Sequence, residues 1–150
     1  MKHDPSIKNL IFDLGGVILD LSIDKSMRQF AALSGLAKEK VDEIYTTTPG
    51  FEIYERGLMN DTDFRNFVRE VFSVKSTDEQ IDVCWNAMLL GLPLKKLDLM
   101  ERLKKDFSVY LLSNTNNIHL NFINQIMLPG ITDNGNILDS YFHRAYYSHV

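Results

Sequence analysis

Residues 8–20 constrain this chain most. They read Lys8-Asn9-Leu10-Ile11-Phe12-Asp13-Leu14-Gly15-Gly16-Val17-Ile18-Leu19-Asp20. A short apolar run leads into an aspartate, and two glycines follow at once. Bounded runs of this kind read as buried strands. The strand would deliver Asp13 to its carboxyl end, the place where open α/β sheets bind ligands. The glycines clear side chains from beside that carboxylate, so a ligand can approach the backbone. An aspartate there can ligate a hard cation or act as a covalent nucleophile. By itself the stretch is equally a buried strand ending in a turn that carries an Asp.

The 150 residues suffice for one ordinary domain with a sizeable core. The formal net charge of −4 argues against a nucleic-acid binder, which needs concentrated Lys and Arg. Cys84 is the single cysteine, so no internal disulfide can form. It lies in a helical pattern, where a small buried hydrophobe is expected. The first residues lack the apolar core of a signal peptide, and no apolar run approaches membrane-spanning length. A cytoplasmic protein without membrane or nucleic-acid partners is the expectation. The four histidines, His3, His119, His143 and His149, show no close metal-ligand spacing.

After Asp20 the pattern turns helical. Ser22 or Asp24 can cap a helix to about Leu33 that Gly35 would end. Residues 38–45 suit a second helix and 46–50 a loop. Residues 51–56 suit a short helix stopped by Gly57. Asn60 or Asp61 then opens a helix with Phe64, Phe67, Val68, Val71 and Phe72 in one apolar stripe. Ser76/Glu79 and Thr77/Gln80 are overlapping capping boxes. The helix after them would be closed by Gly91 and Pro93. No convincing strand is evident between residues 20 and 92. These helices must bury their stripes against each other or a neighbour.

Residues 94–106 predict one more helix, with Lys95, Lys96, Lys104 and Lys105 on a solvated face. Residues 107–113 predict a strand ending in the Ser113 hydroxyl. Asn114-Thr115-Asn116-Asn117 follows and suits the start of a helix running to about Gln125, whose free N–H groups beside that hydroxyl would suit an anion. Residues 129–135 are turn-rich, and residues 141–148 predict a third strand. A helix between the first two core strands permits a parallel crossover. The expectation is an α/β core (1–19 and 93–150) with a parallel sheet, interrupted by an all-helical cap (20–92).

Two motifs carry a resemblance. Phe12-Asp13-Leu14-Gly15-Gly16-Val17 resembles the first signature of the haloacid dehalogenase (HAD) superfamily. Leu111-Leu112-Ser113-Asn114 resembles its second. Their order, and the helical insert between them, are similar to the helical-cap phosphatase branch, sugar-1-phosphate phosphatases among it. The resemblance spans nearly the whole chain and implies a Rossmann-like core. It further implies that Asp13 is a nucleophile forming an aspartyl-phosphate on a small phosphorylated metabolite. Mg2+ would be held by the Asp13 carboxylate and the Gly15 backbone carbonyl. Ser113 would hydrogen-bond the phosphoryl oxygens, with the N–H groups of Leu14 and Asn114 aimed at them.

The chain departs from the family pattern twice. Most phosphatases of the superfamily carry a second Asp where this chain has Gly15. That implies a leaving group needing little protonation, or a substitute such as Asp20 or Asp24. The family's third signature, a Lys, and its fourth, an acidic pair, are expected beyond the third strand. No Lys follows Lys105, and the last acidic residue is Asp139. The sequence thus reads as the front part of a longer enzyme. Its first strand would be an unprotected apolar edge inviting self-association. The alternatives are a metal-independent 2-haloacid dehalogenase-type hydrolase, whose relatives also lack the second Asp, and a non-catalytic domain of the same fold. Tyr54, Glu55 and Arg56 are candidates to face the pocket.

Overall fold

The computed structural model describes residues 6–128 and 137–150. The turn-rich stretch 129–135 expected from sequence lies outside the described residues. Strand β1 (Asn9–Phe12) is followed by the two-residue strand β2 (Asp20–Leu21). Five helices come next: α1 (Ile23–Ser34), α2 (Lys38–Thr47), α3 (Gly50–Glu55), α4 (Asp61–Phe72) and α5 (Asp78–Asn86). Then come β3 (Leu89–Gly91), α6 (Leu94–Leu103), β4 (Ser108–Ser113) and α7 (Asn117–Phe122). A π turn (Ile123–Met127), a 3-10 turn (Leu138–Tyr141) and β5 (Arg144–Tyr147) complete the described chain.

β1, β4 and β5 form a parallel sheet in the order β1–β4–β5. Its register pairs Phe12 with Leu111 and Ser113 with Tyr147. Val109 and Leu111 are fully buried on one face. The first strand departs from expectation. Ile11 is 67% exposed, because β1 is the sheet edge and nothing described covers the face it shares with Leu112 and Tyr146.

The helices follow their local signals. Gly35 ends α1 in a left-handed conformation (φ 71°). The Asn60 side chain accepts the Asp63 N–H and caps α4. Of the two capping boxes, Thr77/Gln80 forms. The α4 stripe buries Phe64, Val68 and Phe72. Phe64 stacks on Tyr54 at 3.9 Å between centroids and touches Trp85 at 5.0 Å. Arg65 holds Asp82 through two hydrogen bonds and braces α4 against α5.

Four sequence expectations need correction. The segment between residues 20 and 92 does contain strand: β2 pairs antiparallel with β3 and brackets the helices at their base. Two-residue strands are too short for periodicity to reveal. α5 therefore stops at Asn86, ahead of Gly91 and Pro93, because the chain must turn into β3. The lysines of α6 are not all solvated: Lys96 pairs with Asp20 at 2.7 Å, and Lys104 donates to the Ser140 carbonyl. Ser22 makes no side-chain cap on α1. Cys84 is buried, which pushes its thiol up to about 11.

Gly57 lies against the residues that follow β5. It follows α3 with φ 74°, and a Cβ there would lie 2.2 Å from the Ser148 carbonyl oxygen. Gly35 has the same backbone sign with open space around it. Gly35→Ala should cost only the left-handed strain, about 1–2 kcal/mol. Gly57→Ala should cost clearly more in urea denaturation; equal costs would show that the turn does not press on β5.

Candidate active site

The site begins with the end of β1. Asp13 is exposed one residue past Phe12, and its Oδ1 accepts the N–H of Leu14 at 2.7 Å. The chain then folds back tightly: the Leu14 carbonyl accepts N–H groups from both Ile18 (2.9 Å) and Leu19 (2.8 Å). Gly16 adopts φ 74° and donates to the Leu19 carbonyl. At Gly15 a Cβ would approach Leu21 Cδ1 to 2.8 Å. An acidic side chain there would have to displace Leu21.

Ser113 closes β4, the neighbour of β1 in the sheet. Continuing the parallel register beyond Phe12 and Leu111 sets Asp13 beside Leu112, one residue short of Ser113, so both side chains stand at the carboxyl ends of neighbouring strands spaced about 4.8 Å apart. Ser113 is buried, and its hydroxyl makes one long contact, 3.4 Å, to the Asn114 carbonyl. The Leu14 N–H is engaged by Asp13 rather than free. The helix after Ser113 starts at Asn117, within the stretch 114–117 expected to open it, with Asn116 as its cap.

The two acids proposed as substitutes for a general acid are committed elsewhere. Asp20 pairs with Lys96. Asp24 contacts Arg28 and Lys38, whose hydrogen bonds hold its carboxyl below the usual range.

Sequence reading missed the residues that hold the turn after Ser113. The Ser148 hydroxyl accepts the Thr115 N–H (3.1 Å) and lies 2.5 Å from the Glu55 carbonyl. His149 Nδ1 reaches the Thr115 carbonyl at 3.1 Å. Asn116 is fully buried and contacts His119. The only sequence signal for this was an Asn three residues before a His. Beside the turn, between the α3–α4 connection and the ends of β4 and β5, opens a groove of about 900 Å³. Tyr54, Asn60, Asp61, Asn117 and His149 line it. Asp61 accepts hydrogen bonds from Tyr54 Oη and Asn117 Nδ2, both at 2.8 Å. Of the three candidates to face a pocket, Tyr54 lines this groove. Arg56 is exposed and ion-paired with Glu52, and burial pushes the Glu55 carboxyl up.

No family model matches the chain. It is 33% identical over 145 residues to D-ribitol-5-phosphate phosphatase of Bacteroides thetaiotaomicron, covering 95% of this chain and 68% of that protein. The chain belongs to the HAD family. A HAD family enzyme from the same organism, solved with magnesium and inorganic phosphate, superposes with a TM-score of 0.83 at 33% identity. The match covers 96% of this chain and 70% of that one. A HAD-like family hydrolase from Porphyromonas gingivalis gives 0.80 at 28% identity, covering 95% and 67%. An aspartate-to-alanine variant of the Bacteroides enzyme was also solved with magnesium and phosphate.

A magnesium site can be tested against the residues of this HAD chain. The expected donors are a carboxylate, Asp13, and a main-chain carbonyl, Gly15. Both are hard oxygens, which suit Mg2+, an ion that fills its shell with water and phosphate oxygens. Among the described residues, no group of three or more His, Cys, Asp or Glu gathers as a metal cluster.

His119 yields a pH prediction. Burial pulls its imidazole down to about 4, against an ordinary value near 6.5. The unfolded chain therefore takes up a proton first as pH falls. The folded state loses stability from pH 6.5 downward, by roughly 3 kcal/mol once pH 4 is reached. Urea melts at pH 7 and pH 4.5 should show this loss, and His119→Gln should remove its share. The same pH dependence in both proteins would contradict a neutral buried His119.

Proposed function

We propose that this chain carries the nucleophile of a Mg2+-dependent phosphatase acting on small phosphate esters. The observation that carries this reading is the parallel pairing of β1 with β4. It brings Asp13 and Ser113 to the same end of adjacent strands, which supports this reading in a chain whose HAD relatives include a sugar-alcohol phosphatase and a magnesium–phosphate complex.

An Asp13 carboxylate oxygen attacks phosphorus, and the ester P–O bond breaks. The departing oxygen takes a proton from solvent, because Gly15 offers none. Water then attacks the phosphorus of the aspartyl-phosphate. The bond to Asp13 breaks, which restores the carboxylate and releases inorganic phosphate. The Ser113 hydroxyl and the N–H groups of Leu14 and Asn114 hold the phosphoryl oxygens through both steps. The Leu14 N–H exchanges its bond to Asp13 for one to phosphate. The Asp13 carboxylate and the Gly15 carbonyl would hold Mg2+, which would supply charge neutralisation to the phosphoryl group.

The substrate we favour is a small sugar or sugar-alcohol phosphate. Asn60, Asp61 and Asn117 along the groove offer carboxylate and amide partners for its hydroxyls. We read α1–α5 as the helical cap (residues 20–92), with the β2–β3 ribbon as its base, and residues 1–19 and 93–150 as the core. A single, buried, free Cys84 fits a reducing compartment, and the cytoplasm is the location we expect. Among the described residues, no helix is long and apolar enough to cross a membrane.

Phosphate release from such esters should need Mg2+ and stop with a chelator. Asp13→Asn should lower turnover on the order of 10³-fold or more, since an amide is a poor nucleophile. Halide release from a 2-haloacid without metal would favour the dehalogenase alternative. We also propose self-association through the β1 edge, where Ile11 is exposed and unpaired backbone can template a second strand. Light scattering from the purified chain should show more than a monomer; a monomer at high concentration would remove this proposal.

A further inference from the structure

The turn that carries Ser113 is tied to the helical insert by one buried relay. Asn116 has no exposed surface. Its Oδ1 accepts the His119 N–H at 3.0 Å, and its Nδ2 lies 3.1 Å from His119 Nδ1. His119 Nε2 lies 3.3 Å from the Trp85 carbonyl on α5. One proton arrangement satisfies every contact. An amide Nδ2 can only donate, so His119 Nδ1 accepts, and Nε2 carries the hydrogen that goes to Trp85. The imidazole also lies flat on the Trp85 indole, with centroids 5.0 Å apart and planes 11° apart. Ser26 on α1 donates to the same Trp85 carbonyl at 2.9 Å.

These bonds run unbroken from the turn after β4, through one side chain, into α5 and α1. A residue that only filled space would need the ring and neither ring nitrogen. Here both nitrogens are used, and the two partners belong to different parts of the fold. We propose that neutral His119 is a positioning residue: it locks residues 113–116 against α5 and so sets where the Ser113 hydroxyl stands relative to Asp13. This rests on Ser113 being the phosphate donor. It adds a group that touches no substrate and acts through Asn116. It also means that displacement of α5 is transmitted to the phosphate-binding turn.

Two variants separate the bonds from the packing. His119→Gln places an amide N–H near the position of Nε2 and can still donate to the Trp85 carbonyl. His119→Phe keeps the stack on Trp85 and removes both ring bonds. Nitrogen NMR of the unaltered protein at pH 7 should show His119 as the Nε2–H tautomer. His119→Phe should shift the backbone amides of Asn114, Thr115 and Asn116. It should also weaken inorganic phosphate binding in Mg2+ by about tenfold, the loss expected for one net hydrogen bond. His119→Gln should return both readouts to within about twofold of the parent.

An Nδ1–H tautomer, or unmoved amides at 114–116 in the Phe variant, would overturn the proposal. If His119→Phe does not fold, the tautomer and the Gln variant decide: displacement of the amides of residues 114–116 in the Gln variant, with those remote from the turn unmoved, would also overturn it. If the parent binds no phosphate, the phosphatase reading is at fault, and the amide shifts still decide whether His119 positions the turn.

Discussion

The parallel pairing of β1 with β4 is the interaction on which the rest depends. Asp13 and Ser113 lie about a hundred residues apart in the sequence, and this pairing alone makes them neighbours. Parallel strands need a crossover, because no hairpin can join them. Here α6 leads directly into β4, and five helices and the β2–β3 ribbon fill the preceding stretch. A one-residue slip of β1 against β4 would turn Leu10 and Phe12 outward and move Asp13 away from its place beside Leu112, one residue short of Ser113. Burial of Val109 and Leu111 resists that slip.

The helical insert has its own centre in the rings of Tyr54, Phe64, Phe51 and Trp85. Trp85 belongs to that cluster on one side and meets His119 on the other. Gly57 and Ser148 make a second join, where the α3–α4 connection meets the end of β5. The insert therefore meets the core at the turns that follow β4 and β5. Those turns are where a ligand would bind, so the packing of helices and the geometry of the site are coupled.

Much of this was legible in the sequence because it is written in local terms. The apolar run before Asp13, the stripe from Phe64 to Phe72, the Thr77/Gln80 capping box and the stop at Gly35 each act within a few residues. The paired motifs around Asp13 and Ser113 pointed to the HAD family, to which the chain belongs. What stayed hidden is tertiary. β2 and β3 are too short to show a period, and they exist only because they pair with each other. Lys96 reads as surface charge until Asp20 is brought beside it. Asn116 and His119 look like loop polars until burial leaves them no partners but each other and Trp85. The edge position of β1 was expected from the family's strand order, and the described sheet has it at the edge.

The central claim is that β1 and β4 together build a phosphoryl-transfer site on Asp13. The most direct measurement is a crystal structure of the protein with Mg2+ and beryllium trifluoride, a mimic of a carboxylate-bound phosphoryl group. The account predicts the fluoride group joined to an Asp13 carboxylate oxygen, with the Ser113 hydroxyl in hydrogen-bond contact with it. The group bound at another residue, or at Asp13 with Ser113 out of reach, would contradict it.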